Sequence, residues 1–378
     1  MKGTGEYTQK SDLKKKHSDL LRGPTQISFD ITNECNLNCK HCFNRSGENE
    51  KIKKELSDEE KLDFIKQIKD LKPFNFCFCG GEPLIKFNLI CEGAKILSEN
   101  DINVSMVSNG WFLTKDKINK LKSSGVNRLQ ISLDGEKESH EYLRGKEGSF
   151  QRAIKAIEHG VDAGLDTSVA FCPTAFNFNE IEDVFNIVKE IGVNEFRIQP
   201  LMLLGRGKNN YNIEANKKQY IALLKDIEKL KKKYHIKSLD NGFDNVSGSD
   251  IKIQWGDPID HLIRQRTSLK SFWTVVGVQA DGSIAPSPYL PITVGNIRNH
   301  SFKDYWENGL SKIWEFKVLR DIAGKINCVK DMGNFSNDNE NIPQVWFEEN
   351  LELDLIDDDL LGENSDLSLN EFFEKSKN

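Results

Sequence analysis

The chain has 378 residues, 38% hydrophobic and 29% charged, with a formal net charge of −6. That length accommodates one large domain and a smaller one. The acidic balance excludes a basic nucleic-acid-binding surface, and the short run Lys14-Lys15-Lys16 reads as a solvated face. No apolar run reaches membrane-spanning length, and the N-terminus lacks the apolar core of a signal peptide. A cytoplasmic protein with no membrane partner is expected, its eight cysteines reduced rather than paired.

Residues 1–24 are polar and lysine-rich and read as an N-terminal arm. From Thr25 onward, strand-like and helix-like segments alternate. Gln26 to Ile31 alternates apolar and polar residues and runs directly into Cys35-Asn36-Leu37-Asn38-Cys39-Lys40-His41-Cys42-Phe43. Ser57-Asp58-Glu59-Glu60 reads as a capping box opening a helix to about Leu71, with Leu62, Ile65 and Ile68 on one face. Strand patterns follow at Phe74 to Cys79, Asn103 to Val107, Arg128 to Leu133, Thr167 to Phe171 and Glu195 to Gln199. Between them lie helix patterns ending near Leu97, from Lys115 to Leu121, from Phe150 to Val161 and from Ile181 to Ile191. Six alternating strand–helix units call for a parallel α/β sheet with right-handed crossovers. Six rather than eight predict a partial (β/α)6 TIM-like barrel over 25–210, with function at the C-terminal ends of its strands.

Residues 211–270 read as a helical linker, carried by a lysine-rich pattern from Glu214 to about Tyr234 and a Gly/Asn/Ser/Asp loop from Asp240 to Asp250. A small β-rich segment is expected from Phe272 to Gly295, with a turn at Asp281-Gly282, then helix patterns through Trp306 and Trp314. Residues 334–378 turn polar and then acidic, the pattern of a solvated tail. Within it, Leu353, Leu355, Ile356, Leu360 and Leu361 offer a docking helix.

The chemistry gathers on the cysteine loop. Exposed free thiols oxidise and exchange, so three on one short loop make sense as ligands converging on one centre. Cys thiolates are the usual ligands of [4Fe–4S] clusters, which normally take four, so three would leave one iron open. Zinc on Cys35, Cys39, Cys42 and His41 is the competing reading. A ligand adjacent to Cys42 gives it strained geometry, and no second CxxC lies nearby. The CxxxCxxC spacing resembles the signature of the radical S-adenosylmethionine superfamily. The resemblance implies one [4Fe–4S] cluster on Cys35, Cys39 and Cys42, with the open iron chelated by the methionine end of S-adenosylmethionine. It further implies that an electron from the cluster cleaves the sulfonium to a 5′-deoxyadenosyl radical.

Other segments fit the same resemblance. Gly80-Gly81-Glu82-Pro83 by itself reads as a tight turn with a carboxylate at a helix start. Within the family it is the motif that holds the methionine amino group, implying Gly81 and Glu82 as contacts. Ser108-Asn109-Gly110 ends the third strand and Ser132-Leu133-Asp134-Gly135 the fourth. Similar segments contact the ribose and carboxylate of the cofactor, implying Ser108, Asn109, Ser132 and Asp134. Arg144 looks like the family arginine that pairs with the methionine carboxylate, against the plain reading of a surface arginine. His41 stands where the family places a residue against adenine, and Ile198 with Gln199 matches loosely a second position near adenine. Cys77, Cys79, Cys91 and Cys172 read as buried, inert thiols.

Asp281 to Ser287, Gly295-Asn296-Ile297 and Tyr305-Trp306 look like the SPASM extension of peptide-modifying radical enzymes. That implies a small SPASM/twitch-like α+β domain at 271–333. The extension usually carries a cysteine after the proline and a downstream array binding auxiliary clusters. Here Ser287 stands at the expected cysteine, and Cys328 is the one cysteine of the array region. One thiol does not hold a four-cysteine cluster, so the scaffold is expected without auxiliary clusters. Cys328 reads either as an inert thiol or, by resemblance to peptide epimerases, as a hydrogen-atom donor to a Cα radical. The function implied is radical modification of a peptide substrate, a ribosomal precursor, by epimerisation or cross-linking. An external electron donor such as flavodoxin or ferredoxin would serve it. A radical enzyme acting on a tetrapyrrole or sugar intermediate, and a non-catalytic peptide-binding homologue, are the competing readings.

Overall fold

The computed structural model describes residues 22–47, 54–234, 251–256, 275–290, 292–328 and 351–358, with short pieces at 236, 258–259, 262–263 and 331. The expected arm before residue 22, the Asp240 to Asp250 loop, and Leu360 and Leu361 lie outside the described residues. Six strands fall where the alternating patterns put them: β1 (Gln26–Asp30), β2 (Asn75–Cys79), β3 (Asn103–Ser108), β4 (Val126–Ser132), β5 (Asp166–Phe171) and β6 (Glu195–Ile198). They pair in parallel, each with its sequence neighbour. Three more join them: β7 (Lys252–Trp255), β8 (Val275–Val278) and β9 (Ile284–Ala285), giving the order β7-β6-β5-β4-β3-β2-β1-β8-β9. Only β9 is antiparallel, to β8. The sheet is a partial, TIM-like barrel.

Two boundaries differ from expectation. β8 pairs in parallel with β1, Gln26 opposite Val275, so the first strand of the expected C-terminal domain belongs to the barrel sheet. β7 lies in the expected helical linker and pairs with β6. The physical reason is shared: outer strands of an open sheet carry unpaired backbone groups, and another strand satisfies them.

The helices between these strands are α1 (Asp58–Leu71), α2 (Phe87–Ser98), α3 (Lys115–Ser123), α4 (Lys137–Arg144), α5 (Ser149–Asp162) and α6 (Ile181–Ile191). After β6 come α7 (Gly205–Asn209) and α8 (Lys217–Lys233), and beyond the sheet α9 (Phe302–Glu307) and α10 (Lys317–Lys325). The capping box of α1 forms: Ser57 accepts from the Glu60 N–H, and the Glu60 side chain accepts from the Ser57 N–H. Its buried stripe runs through Phe64, Ile65, Ile68 and Leu71, with Leu62 at the margin. Lys61 is buried in the same stripe, its Nζ 2.8 Å from Glu55 Oε1. Trp314 falls on a 3-10 turn, Leu310–Glu315, rather than on an α-helix.

Strand alternation sorts the side chains into two sets. Ile27, Phe29, Phe76, Phe78, Val104, Met106, Leu129, Ile131, Val169, Phe171, Phe196 and Ile198 are fully buried in the main core. Ring contacts of Phe29 with Phe64 of α1 and of Phe196 with Phe185 of α6 identify that face as the helix side. The opposite set is polar or small: Ser28, Asp30, Cys79, Gln130, Ser132, Ala170 and Arg197, all half-buried. Interiors of complete barrels are filled by branched side chains. This one is open to solvent.

The tail segment docks as a strand rather than as the expected helix. β11 (Leu351–Glu352) pairs in parallel with β10 (Ile292–Thr293), and Leu353 and Leu355 behind it are buried. Asp354 fixes the turn that follows, accepting from the N–H groups of Ile356 and Asp357 and from the Tyr305 hydroxyl. No helix among the described residues is long and apolar enough to cross a membrane.

Phe64 joins the two ends of the described chain, with ring centroids 5.0 Å from Phe29 and 5.7 Å from Phe302 of α9. Phe64→Ala is expected to cost about 3–5 kcal/mol, read as a lowered urea midpoint in tryptophan fluorescence. A loss below about 1 kcal/mol would mean that α9 does not dock on α1.

Candidate active site at the mouth of the barrel

The cysteine loop leaves β1 at the C-terminal edge of the sheet. Cys35 and Cys39 are buried and Cys42 is half-buried. Backbone hydrogen bonds pin the loop from neighbouring segments. Gly81 and Glu82 donate to the carbonyls of Thr32 and Glu34 at 2.8 Å each, and Lys40 donates to Leu143 at 2.8 Å. Arg206 of α7 donates through Nε to the Cys39 carbonyl at 2.9 Å, and Asn210 through Nδ2 to the Lys40 carbonyl at 3.0 Å. Neither residue was foreseen from the sequence, which holds no motif around them.

Gly81 is obligatory for a reason other than ligand approach. A Cβ there would stand 2.1 Å from the Glu34 carbonyl oxygen and 2.6 Å from that of Asn33. Glycine lets this turn close against the backbone that enters the cysteine loop. The following Glu82 is fully buried. Its carboxylate accepts from the Leu84 N–H at 3.2 Å, the Ser108 hydroxyl at 2.9 Å and the Asn109 N–H at 2.9 Å. Burial outweighs these bonds and pushes its pKa up to about 7. Asn109 also reaches the loop itself, its Nδ2 3.7 Å from Cys35 Sγ and 3.0 Å from Asn36 Oδ1.

Asp134 is buried behind the loop and is not a free side chain at the rim, as expected from its segment. Its Oδ2 lies 2.6 Å from Arg144 Nη2 and 3.1 Å from His41 Nε2, and its Oδ1 accepts from the Cys172 N–H at 3.0 Å. Burial opposes the charge, but Arg144 and then His41 overcome it and hold the carboxyl well below the usual range. His140 accepts the Asp134 N–H through Nδ1 at 3.0 Å; burial, then Arg144, hold this imidazole neutral, at about 3. Arg144 is a half-buried arginine, with one nitrogen on Asp134 and Nη1 3.7 Å from Cys39 Sγ.

The donor set decides which centre fits. His41 faces Asp134, so the zinc reading loses its fourth ligand. Burial, then Cys39, push the Cys35 thiol up to about 12, and burial raises Cys39. Buried thiols with raised pKa values ionise readily only beside a positive centre. Three thiols on one loop fit a cluster with one iron left open.

The structure thus brings Cys35, Cys39, Cys42, His41, Gly81, Glu82, Ser108, Asn109, Asp134 and Arg144 into one bonded set. Ser132 stands half-buried at the end of β4. Two further expected residues do not join them. Ile198 is fully buried on the helix side of β6, one residue out of phase with the lumen, which Arg197 faces instead. Cys328 is exposed in the turn after α10, its N–H bonded to Asp331.

Glu82 carries a testable consequence. Its pKa is raised from 4.5 to about 7 in the fold, so the native state keeps a proton that the unfolded chain releases. Its contribution is fully present below pH 4.5 and is lost as pH rises through about 7. Glu82→Gln is expected to flatten the fall in apo-protein stability across that window, a slope on the order of 3 kcal/mol in total. An unchanged slope in urea titrations would assign it elsewhere.

Residues 29–191 match the family model of the Radical SAM superfamily. The chain is 26% identical over 322 residues to the AdoMet-dependent heme synthase of Methanosarcina barkeri, covering 80% of this chain and 86% of that one. It is 30% identical over 189 residues to the mycofactocin maturase MftC of Mycolicibacterium smegmatis, covering 50% and 47%. The fold is similar to that of anSMEcpe with bound AdoMet and Cp18Cys peptide, with a TM-score of 0.59, 18% identity, and coverage of 93% and 96%. The chain therefore carries a radical SAM domain over residues 29–191, and a [4Fe–4S] cluster and S-adenosylmethionine are its cofactors.

Proposed function

We propose that the protein modifies a peptide, a ribosomally made precursor, by abstracting a hydrogen atom from it, with epimerisation as the outcome. The observation that carries the reading is the position of the cysteine loop at the mouth of a polar lumen open to solvent. The similarity to a fold whose solved complex holds both AdoMet and a peptide supports it. Action on a tetrapyrrole is the second reading, favoured by the heme synthase likeness across 86% of that relative.

In this reading Cys35, Cys39 and Cys42 hold the cluster, while Glu82, Ser108, Asn109, Ser132 and Arg144 hold the nucleotide. When bound, the two cofactors supply a carbon-centred radical strong enough to take hydrogen from an unactivated C–H bond. Glu82 would hold the methionine ammonium, whose positive charge would favour the ionised carboxylate and release to solvent the proton that burial retains. Asp134 orients Arg144 and His41 and carries the compensating charge. Reduction comes from an external donor such as flavodoxin or ferredoxin.

The hydrogen returned to the substrate needs a donor in the lumen; Cys79 would give it as a hydrogen atom from S–H, and the thiyl radical left behind would regain S–H by taking an electron from the external donor and a proton from solvent. Cys79 is half-buried on the lumen face of β2, with its Sγ 3.3 Å from that of Cys77. The hydrogen bond to Cys77 and burial hold it well above the usual thiol range. A hydrogen-atom donor must be S–H rather than thiolate, and these surroundings keep it so.

The test is anaerobic turnover of the precursor encoded beside the gene, in deuterated water, read by mass spectrometry. One deuterium gained per modified residue marks epimerisation, and loss of two hydrogens marks a cross-link. Deoxyadenosine released with Fe-coproporphyrin III and not with peptide would replace the reading by the tetrapyrrole one. Cys328→Ala is expected to leave deuterium incorporation intact and Cys79→Ala to abolish it. Anaerobic reconstitution is expected to give about four irons per chain; eight or more would require auxiliary clusters.

A further inference from the structure

The strands of the barrel turn few charged side chains inward, and most are spoken for. Arg128 Nη2 is 2.8 Å from Glu195 Oε2, and its Nε is 3.7 Å from Asp166. Asp30 accepts from Asn44 Nδ2 at 3.3 Å. Arg197 differs. It shares the lumen face of β6 with Glu195, yet among the described residues its guanidinium has no ion-pair or side-chain hydrogen-bond partner, and its Nε is buried without an acceptor. Glu195, the carboxylate two residues away on the same strand, is turned to Arg128. A guanidinium carries five donors and cannot discharge by losing its proton, so half-burying one without an anion is costly unless an anion arrives.

The surroundings are shaped for an arrival. In strand register Ser132 stands opposite Ala170, and Ala170 opposite Arg197, in one row across β4, β5 and β6. Strands lie about 4.8 Å apart, so Ser132 and Arg197 flank a gap of roughly 10 Å floored by a single methyl group. One inward step below, Ser168 is fully buried and its hydroxyl has no partner. On the far side, the guanidinium lies against Gly256, where a Cβ would come within 2.8 Å of its Nε. Glycine there leaves the guanidinium its place. Half-burial of Ser132, Ala170 and Arg197 on inner strands opens the gap to the lumen.

We propose that Arg197, with Ser168 beneath, is the seat for a carboxylate of the substrate, holding it across the lumen from the cofactor side at Ser132. The assignment rests on the lumen being the substrate chamber, as in the proposed function. It names the substrate class as anionic: a peptide whose acidic side chain or free C-terminal carboxylate enters the barrel. Bidentate pairing with guanidinium fixes orientation as well as position, which a radical abstraction needs in order to choose one C–H bond.

The test measures equilibrium binding to the enzyme reconstituted with its cluster and S-adenosylmethionine. The probes are labelled pentapeptides with blocked ends carrying a single Glu, the same peptide with Gln, the Gln peptide with a free C-terminal carboxylate, and coproporphyrin III. The Glu peptide or the free-carboxylate peptide is expected to bind on the order of ten-fold more tightly than the blocked Gln peptide. That preference is lost in Arg197→Gln and partly kept in Arg197→Lys, with iron content showing that each variant is folded. Equal binding of all peptides to the native protein, or a preference that survives Arg197→Gln, overturns the seat. If coproporphyrin III alone depends on Arg197, the seat stands and the peptide reading falls. If precursor turnover succeeds while no carboxylate probe senses Arg197, the peptide reading stands and the seat falls.

Discussion

A carboxylate with no access to water, Asp134, holds the working end of this protein together. It stays charged because Arg144 and His41 converge on it, and its other oxygen takes a backbone N–H from the end of β5. Through Arg144 the same charge reaches the sulfur of Cys39; through His41 it holds the residue next to Cys42. Removing one partner from such a group leaves a buried charge uncompensated, so the pieces stand or fall together. The cysteine loop, β4, α4 and the start of the β5 loop are thereby fixed as one unit.

Around this unit the barrel divides its labour by strand parity. Apolar residues of β1 to β6 face the helices and supply the core, and their alternate neighbours line a lumen of polar and small side chains. A filled interior would be more stable, because burial of branched side chains contributes about 1.5–3 kcal/mol each. Leaving it open is the condition for admitting a substrate. The outer strands β7 and β8 extend the sheet at either end, and the C-terminal segment closes over α1 through Phe302 and Arg298.

Much of this was legible in one dimension. The 2.0 and 3.6 periods located β1 to β6 and the helices between them other than α4 within a residue or two, because one side of each element faces water or lumen and the other the core. Ser57 and Glu60 announced α1 by chemistry local to four residues. Ile198 failed for want of parity: the position was right, but the inward side chain belongs to its neighbour Arg197. The tail failed differently. Leu353 and Leu355 are apolar at a spacing of two behind the strand Leu351–Glu352, whose partner Ile292–Thr293 lies far away in sequence.

The amino-acid sequence alone determined the thiol triad, the glycine turn, the alternation of strands and helices, and the superfamily, since each rests on residues close together in the chain. Tertiary structure alone decided that Asp134 serves Arg144 and His41, that Gly81 yields space to Glu34, that Cys328 stands outside, and that Arg197 is without an anion. The contacts among them join residues from about ten to about ninety positions apart. Burial and charge compensation have no one-dimensional signature, because they depend on what the fold brings within a few ångströms.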